Sequence, residues 1–144
     1  MIINLTQHVA TNDQRAAGVV DLPAALRAQV TDWLTFDTLP TTDEIHESAA
    51  ALADLACRLQ APEDRAAEGL DLTSSAFALH ALIGGAPWLM APLEAALRDR
   101  GVIPVYAFSV RESVEEALPD GTVRKSAVFR HKGFVAPDGA GPDA

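Results

Sequence analysis

The chain has 144 residues, of which 49% are hydrophobic, so it can bury the core of one domain and differs from a disordered chain. Its net charge of −9 argues against bulk binding to duplex nucleic acid, where affinity comes mostly from neutralised phosphates. One cysteine, Cys57, excludes an internal disulfide and a cysteine-based zinc site.

The first half of the chain alternates short strands with helices, which is typical of an α/β fold. The predicted elements are a buried strand at 1–5, a short helix at 12–18, a strand at 19–22, a helix at 23–34, a long helix at 41–59 and a linker or partial helix at 60–70. Thr11 or Asn12 caps the first helix. Thr41 and Glu44 have the spacing of a capping box, which makes the helix that follows them the clearest of the set.

The second half predicts a strand, a helix and a strand, followed by a hairpin. The predicted elements are a nearly continuous apolar strand at 76–83, a helix from Pro87 to Leu97 that Gly101 stops, a strand at 102–108, and an antiparallel pair joined by the turn Asp120–Gly121. We therefore expect an α/β fold with a Rossmann-like, mainly parallel sheet flanked by helices and a C-terminal antiparallel β-hairpin. The domain spans residues 1–135, and the Pro/Gly/Asp-rich tail 136–144 is expected to be disordered.

Three polar segments each follow a predicted parallel strand, at the sheet edge where ligands bind in open α/β folds. They are Thr6, Gln7 and His8; then Gly84, Gly85 and Ala86; then Ser109, Val110 and Arg111. Glycines ahead of a helix N-terminus favour an anion. Since no Lys-Ser/Thr follows them, this is not a Walker loop, and a plain tight turn that packs the helix on the sheet is an equal alternative.

Basic residues are concentrated near the end of an otherwise acidic chain. Residues 98–135 carry seven Lys and Arg against five acids, whereas residues 1–97 carry four Arg against thirteen acids. This distribution favours a compact anionic ligand, although the charges of a hairpin also commonly face solvent. Arg111 is a candidate phosphate clamp, or else an ion-pair partner of Glu112 or Glu115.

His8 is the candidate phosphate donor or general acid/base. Ser109 is a candidate donor to phosphate or ribose, or else a cap of the turn that follows it. The four histidines are too dispersed for a metal site, so we expect no metal and no cofactor. His80 lies in an apolar strand and is interpreted as a core residue. No basic region precedes an apolar run at the N-terminus and no stretch is long enough to span a bilayer, so a cytoplasmic protein without membrane contact is expected.

Both ends of the chain resemble one family. The runs that carry the resemblance are 101–106, Arg111 to Glu115, Asp120 to Val123, Phe129 to Phe134, and Asn4 to Gln14. They are similar to small CRISPR-associated proteins of type III systems, which look like stand-alone relatives of the CRISPR-associated Rossmann-fold (CARF) sensor domain and include ring nucleases.

The resemblance implies a homodimer that binds a cyclic oligoadenylate second messenger in antiviral defence. It also implies metal-independent cleavage, in which a ribose 2′-OH attacks the adjacent phosphorus in line. Carried onto this chain, the ligand-binding residues are Asn4, Thr6, Gln7, Gly84, Gly85, Ala86, Lys125 and His131, and the catalytic residues are His8, Ser109 and Arg111. A non-catalytic cyclic-nucleotide sensor or sponge, and a small α/β protein-interaction module, are the alternatives.

Overall fold

The structure is a computed structural model, and it describes residues 1–70 and 78–137. Its elements are, in order, β1 (Ile2–Asn4), α1 (Asn12–Ala16), β2 (Val19–Val20), α2 (Ala24–Leu34), α3 (Thr42–Arg58), α4 (Pro62–Ala67), β3 (His80–Leu82), α5 (Pro87–Asp99), β4 (Ile103–Ala117) and β5 (Val123–Val135). Each predicted element therefore has a counterpart, and the linker at 60–70 contains the short helix α4. The predicted strand at 76–83 is described only from residue 78 onward.

Local capping signals set the start of two helices. Thr11 accepts a hydrogen bond from the Gln14 backbone, and the Gln14 side chain accepts one from the Thr11 N–H, so Thr11 rather than Asn12 caps α1. Thr41 and Glu44 form the same reciprocal pair at the start of α3, as predicted. Each pair satisfies backbone N–H groups that a helix start otherwise leaves without an intrahelical partner.

The strands form a five-stranded sheet in the order β2-β1-β3-β4-β5. The pairs β1–β2, β1–β3 and β3–β4 are parallel, and β4–β5 is antiparallel. The α/β class, the mainly parallel sheet and the C-terminal hairpin are confirmed. Gly101 follows α5 with a φ of +74°, which a glycine adopts at little cost and which turns the chain into β4.

The main core lies between one face of the sheet and three helices. Buried leucines and alanines of α2, α3 and α5 pack there against Ile3 and Leu5 of the first strand and its end, and against Ala81 and Ile83 around β3. A smaller cluster covers the opposite face, where Ile2, Val19, Leu82 and Val105 meet Ala10 and Phe134. Because successive strand residues point to opposite faces, the nearly unbroken apolar run around β3 feeds both clusters.

The strand predicted at 102–108 is too short. β4 continues to Ala117 and pairs with β5 over its whole second half. From Ala107 onward most of its side chains are exposed or half-buried, so the apolar signal used to place the strand end disappears while the strand itself continues. Of the predicted tail, Ala136 packs beside the smaller cluster, and residues 138–144 lie outside the described residues.

Within the part of the chain that the structure describes, none of the helices has the length and apolar character needed to cross a membrane.

Candidate functional site

A cavity of about 440 Å³ opens where β1 and β3 end, beside Tyr106 and Ala107 of β4. Its lining residues are Thr6, Gln7, His8, Gln14, Leu82, Ile83, Gly84, Gly85, Tyr106 and Ala107. The carboxyl ends of parallel strands meet at one edge of a sheet, and β1 and β3 are hydrogen-bonded neighbours there. The loop after β1 and the turn after β3 therefore form two walls of one pocket.

Asn4, at the end of β1, fixes the shape of the first loop. Its side-chain Nδ2 donates to the carbonyl of His8 at 2.7 Å and to Asp21 Oδ1 at 2.8 Å. Its Oδ1 accepts from the Thr6 backbone N–H at 2.9 Å and from the Thr6 hydroxyl at 2.7 Å. Both amide donors are thus used within the protein, and Asn4, which is only 4% exposed, supports the loop from below.

Asp21 is the second anchor of this loop. Its carboxylate accepts from Asn4, from the backbone N–H of Ala10 at 3.0 Å, and from Arg15 at 3.0 Å. Partial burial raises the pKa of Asp21, but the hydrogen bonds from Asn4, Ala10 and Arg15 together outweigh burial, so its pKa lies below the ordinary value of 3.8. The carboxylate is therefore charged while it holds the loop.

Acid should loosen this anchor. Because the folded pKa of Asp21 is lowered, its contribution to stability is present above about pH 5 and is lost as the pH falls through 3.8 toward the folded value. We expect the unfolding free energy of Asp21→Asn to fall less steeply than that of the wild type below about pH 5, measured by denaturant unfolding at several pH values. Asp32→Asn, at an exposed position of α2, is the control and should keep the wild-type slope. Equal slopes for the wild type and Asp21→Asn would contradict the assignment.

The second wall is the turn Gly84–Gly85. Gly85 has a φ of +146°, and a Cβ added there would lie 3.6 Å from Leu34 Cδ2 and 3.7 Å from Met90 Cε. A side chain at this position would be strained in any case, because L residues rarely adopt that φ. A Cβ on Gly84 would lie 3.7 Å from Thr6 Cγ2, so the glycine turn and the first loop approach each other closely.

Tyr106 of β4 contributes an aromatic side chain to the lining of the pocket. Its hydroxyl donates to Glu94 Oε2 on α5 at 2.9 Å. Burial, reinforced by the Glu94 carboxylate, raises the pKa of Tyr106 well above its ordinary value, so the phenol keeps its proton. Tyr106 therefore contributes a fixed aromatic surface whose hydroxyl is engaged by α5.

The predicted site residues fall into two groups. The cavity brings together Thr6, Gln7, His8, Gly84 and Gly85, as the carboxyl-end argument expected. Ala86, at the N-cap of α5, Asn4, beneath the loop, and Ser109, Arg111, Lys125 and His131, on the hairpin, do not line it. Ser109 and Arg111 do not follow the strand, because β4 continues through them.

Two lining residues, Gln14 and Tyr106, were not among the predicted site residues. Gln14 was noted only as part of a short helix, yet its side chain both completes the capping box and reaches the cavity. Tyr106 lies on β4 level with the predicted polar segments of the neighbouring strands. The signal that would have found it is the sheet register: Val105 pairs with Leu82 at the end of β3, and Tyr106 follows Val105.

The pocket offers hydroxyl, amide and imidazole groups beside apolar side chains of β3 and the residue after it. Its lining contains no Lys or Arg, and among the described residues the Gln7 and His8 side chains have no hydrogen-bond partner, so both are available to a ligand. Within residues 1–70 and 78–137, no three His, Cys, Asp or Glu side chains gather as a metal site requires. Recognition of an anion would therefore use backbone N–H groups, amides and imidazole.

Residues 1–135 match the model of a family described as the uncharacterized protein MJ1673 family. A search of the curated proteins and a search of the solved structures each gave no match. The matched range includes both walls of the pocket and the complete β4–β5 hairpin. The chain belongs to the MJ1673 family.

Proposed function

We propose that the pocket binds a phosphorylated, nucleotide-like ligand, with a cyclic oligoadenylate as the first candidate, and that the protein cleaves this ligand without a metal. One observation carries the proposal. The loop Thr6–His8 and the turn Gly84–Gly85, which lie far apart in the sequence, line a single cavity of about 440 Å³. That volume lies within the range of about 300–1000 Å³ typical of small-molecule sites.

The topology supports this choice of ligand class. We propose that the sheet is Rossmann-like, since the order β2-β1-β3-β4 with all neighbours parallel is that of the doubly wound nucleotide-binding folds. In such sheets the connections from β1 and β3 leave in opposite directions, and ligands bind in the crevice between them. The cavity occupies this position, between the end of β1 and the end of β3.

The pocket suits a phosphate without a cationic side chain. The 13-residue helix α5 begins at Pro87, two residues after Gly85, and its N-terminus carries partial positive charge close to the glycine turn. Gln7 and His8 add donors from the opposite wall. Tyr106 supplies an aromatic surface, which suits a nucleobase.

Cleavage would proceed by in-line attack. A ribose 2′-oxygen bonds to the adjacent phosphorus as the bond to the 5′-oxygen breaks; the 2′-hydroxyl loses its proton and the leaving oxygen gains one. His8 is the lining residue suited to move such a proton. The remaining contribution of the protein is to hold the phosphate and the ribose in line.

Binding without cleavage is the second candidate function. It is favoured by the positions of Ser109 and Arg111, because neither lines the cavity in which the ligand would react. A sensor or sponge needs the pocket but not these two residues. The homodimer that the family resemblance implies is a further part of the proposal and applies to both candidates.

Purified protein mixed with cyclic tetra- and hexa-adenylate in EDTA tests both functions. We expect binding by calorimetry and linear products by chromatography. His8→Ala should slow product formation by about 100-fold, the size of a typical acid–base contribution, while the dissociation constant changes by much less. His46→Ala, an exposed position of α3 away from the cavity, is the matched control and should behave as the wild type. Binding with intact rings would establish the second candidate, and no binding of either ring would contradict the proposal of a cyclic oligoadenylate ligand.

A further inference from the structure

Beyond Ala107, β4 and β5 leave the sheet and continue as a two-stranded ribbon. We call this ribbon the hairpin arm and define it as Ser109–Ala117 of β4 with Val123–His131 of β5. β3 pairs with β4 only as far as Val105, so the arm has no third strand beside it. A two-stranded hairpin by itself is marginally stable in water, so an arm of this length gains from being covered.

Exposed apolar side chains concentrate in the hairpin. Among the described residues, the exposed large hydrophobic side chains of the hairpin are Phe108, Val110, Val123, Val128, Phe129 and Val135, while only Val9, Leu39 and Trp88 lie elsewhere. Phe129 is 70% exposed in the middle of the arm. These side chains are divided between the two faces of the hairpin, and Phe129 is the most exposed of them, so the face that carries Phe129 has the most to gain from being covered.

The strand register divides the arm into two faces. Residues directly opposite each other share a face, so Arg111 lies beside Phe129, Ser113 beside Ala127, and Glu115 beside Lys125. We call this the Phe129 face. The opposite face carries Arg130 and Lys132, both paired with Glu112, together with Arg124 opposite Glu116.

The Phe129 face complements itself. At its centre are two small residues, Ser113 and Ala127, which allow a second surface to approach closely. Consider two copies in contact through this face, related by a two-fold axis that lies between them and runs across the strands at Ser113 and Ala127. The arms are then antiparallel, and Arg111 lies opposite Glu115 of the partner subunit. The same axis places Phe129 opposite Lys125 of the partner subunit, where a cation can lie over an aromatic ring. Arg111 has no ion-pair partner among the described residues, so it is available for this contact.

Two other self-contacts of the arm bring like charges together. The same rotation applied to the opposite face would place Arg130 against Arg124, which are like charges. Pairing the β5 edges of two copies would join strands that each carry four Lys and Arg and no acid. For this rotation, the charge pattern favours contact through the Phe129 face. We infer that the Phe129 face of the hairpin arm binds the same face of a second copy of this chain.

This contact rests on the homodimer of the proposed function and gives it an interface, but it does not depend on the ligand proposed for the pocket, so dimer formation and ligand binding can fail separately. Sedimentation equilibrium of the full chain, over a range of protein concentrations and without nucleotide, measures it directly. We expect a dimer. Arg111→Glu and Glu115→Arg should each raise its dissociation constant by about tenfold or more, because each places like charges face to face. The double variant restores opposite charges and should recover most of the wild-type affinity.

Glu116→Arg, on the opposite face, is the matched control and should leave the dissociation constant unchanged. Circular dichroism establishes that each variant is folded. A wild-type protein that stays monomeric at every concentration would overturn the inference. So would a double variant as weak as the single ones, or a control as weak as Arg111→Glu.

Discussion

Leu93→Ala should lower the free energy of unfolding by about 2–5 kcal/mol, the range measured for deleting a fully buried leucine from a core. Leu93 is 0% exposed in the middle of α5 and belongs to the main core between the helices and the sheet. The truncation removes apolar contacts and leaves a cavity. Because α5 is packed against α3 and β4, it cannot shift to fill that cavity. Urea unfolding followed by circular dichroism measures the loss.

Leu39→Ala is the matched control, because it makes the same chemical change at a side chain that is 95% exposed. Its unfolding free energy should stay within about 0.5 kcal/mol of the wild type. A loss for Leu93→Ala as small as that for Leu39→Ala would show that α5 does not pack on the core as described.

The parts of the fold that the sequence predicts well are those with local causes. The Thr41–Glu44 capping box involves residues three apart, so the start of α3 is readable without any tertiary information. The apolar run around β3 likewise identifies a central strand. The end of β4 has no such local cause. Its outer half is solvated on both faces, and only pairing with β5 keeps it a strand.

The same distinction explains the site. Loops after β1 and β3 could be assigned to one pocket, because parallel strands always bring their carboxyl ends to the same edge. Tyr106 could not be assigned, since its place depends on the register between β3 and β4. Arg111 was placed at the sheet edge only because β4 was ended too early. In the structure, Arg111 lies on the hairpin arm and is paired with Phe129 of β5.

The hydrogen bonds that hold the first loop in place could not be predicted from the sequence either. Asn4 was predicted as a ligand-binding residue; the structure places its side chain beneath the loop, where it joins the loop to Asp21. A buried amide with four partners fixes backbone geometry more than it recognises a ligand, because no donor is left free. The pocket therefore depends on residues that do not line it.

Asn4→Ala should accordingly lower the free energy of unfolding by about 3–5 kcal/mol, since it removes four hydrogen bonds, one of them to a carboxylate. It removes one donor from Asp21 and one from the His8 carbonyl, which keeps the Thr6 hydroxyl at 3.2 Å. Urea unfolding measures the loss. In the fraction that stays folded, calorimetry should show weaker nucleotide binding if the loop is what shapes the site.

Asn12→Ala provides the comparison, because Asn12 is exposed and its side chain accepts only a 3.4 Å bond from Arg15. That variant should change stability by no more than about 0.5 kcal/mol and leave binding intact. If Asn4→Ala proved as mild as Asn12→Ala, the loop would hold its shape without the amide. The loop would then depend on Asp21 through its bond from the Ala10 N–H, and not on the Asn4 amide.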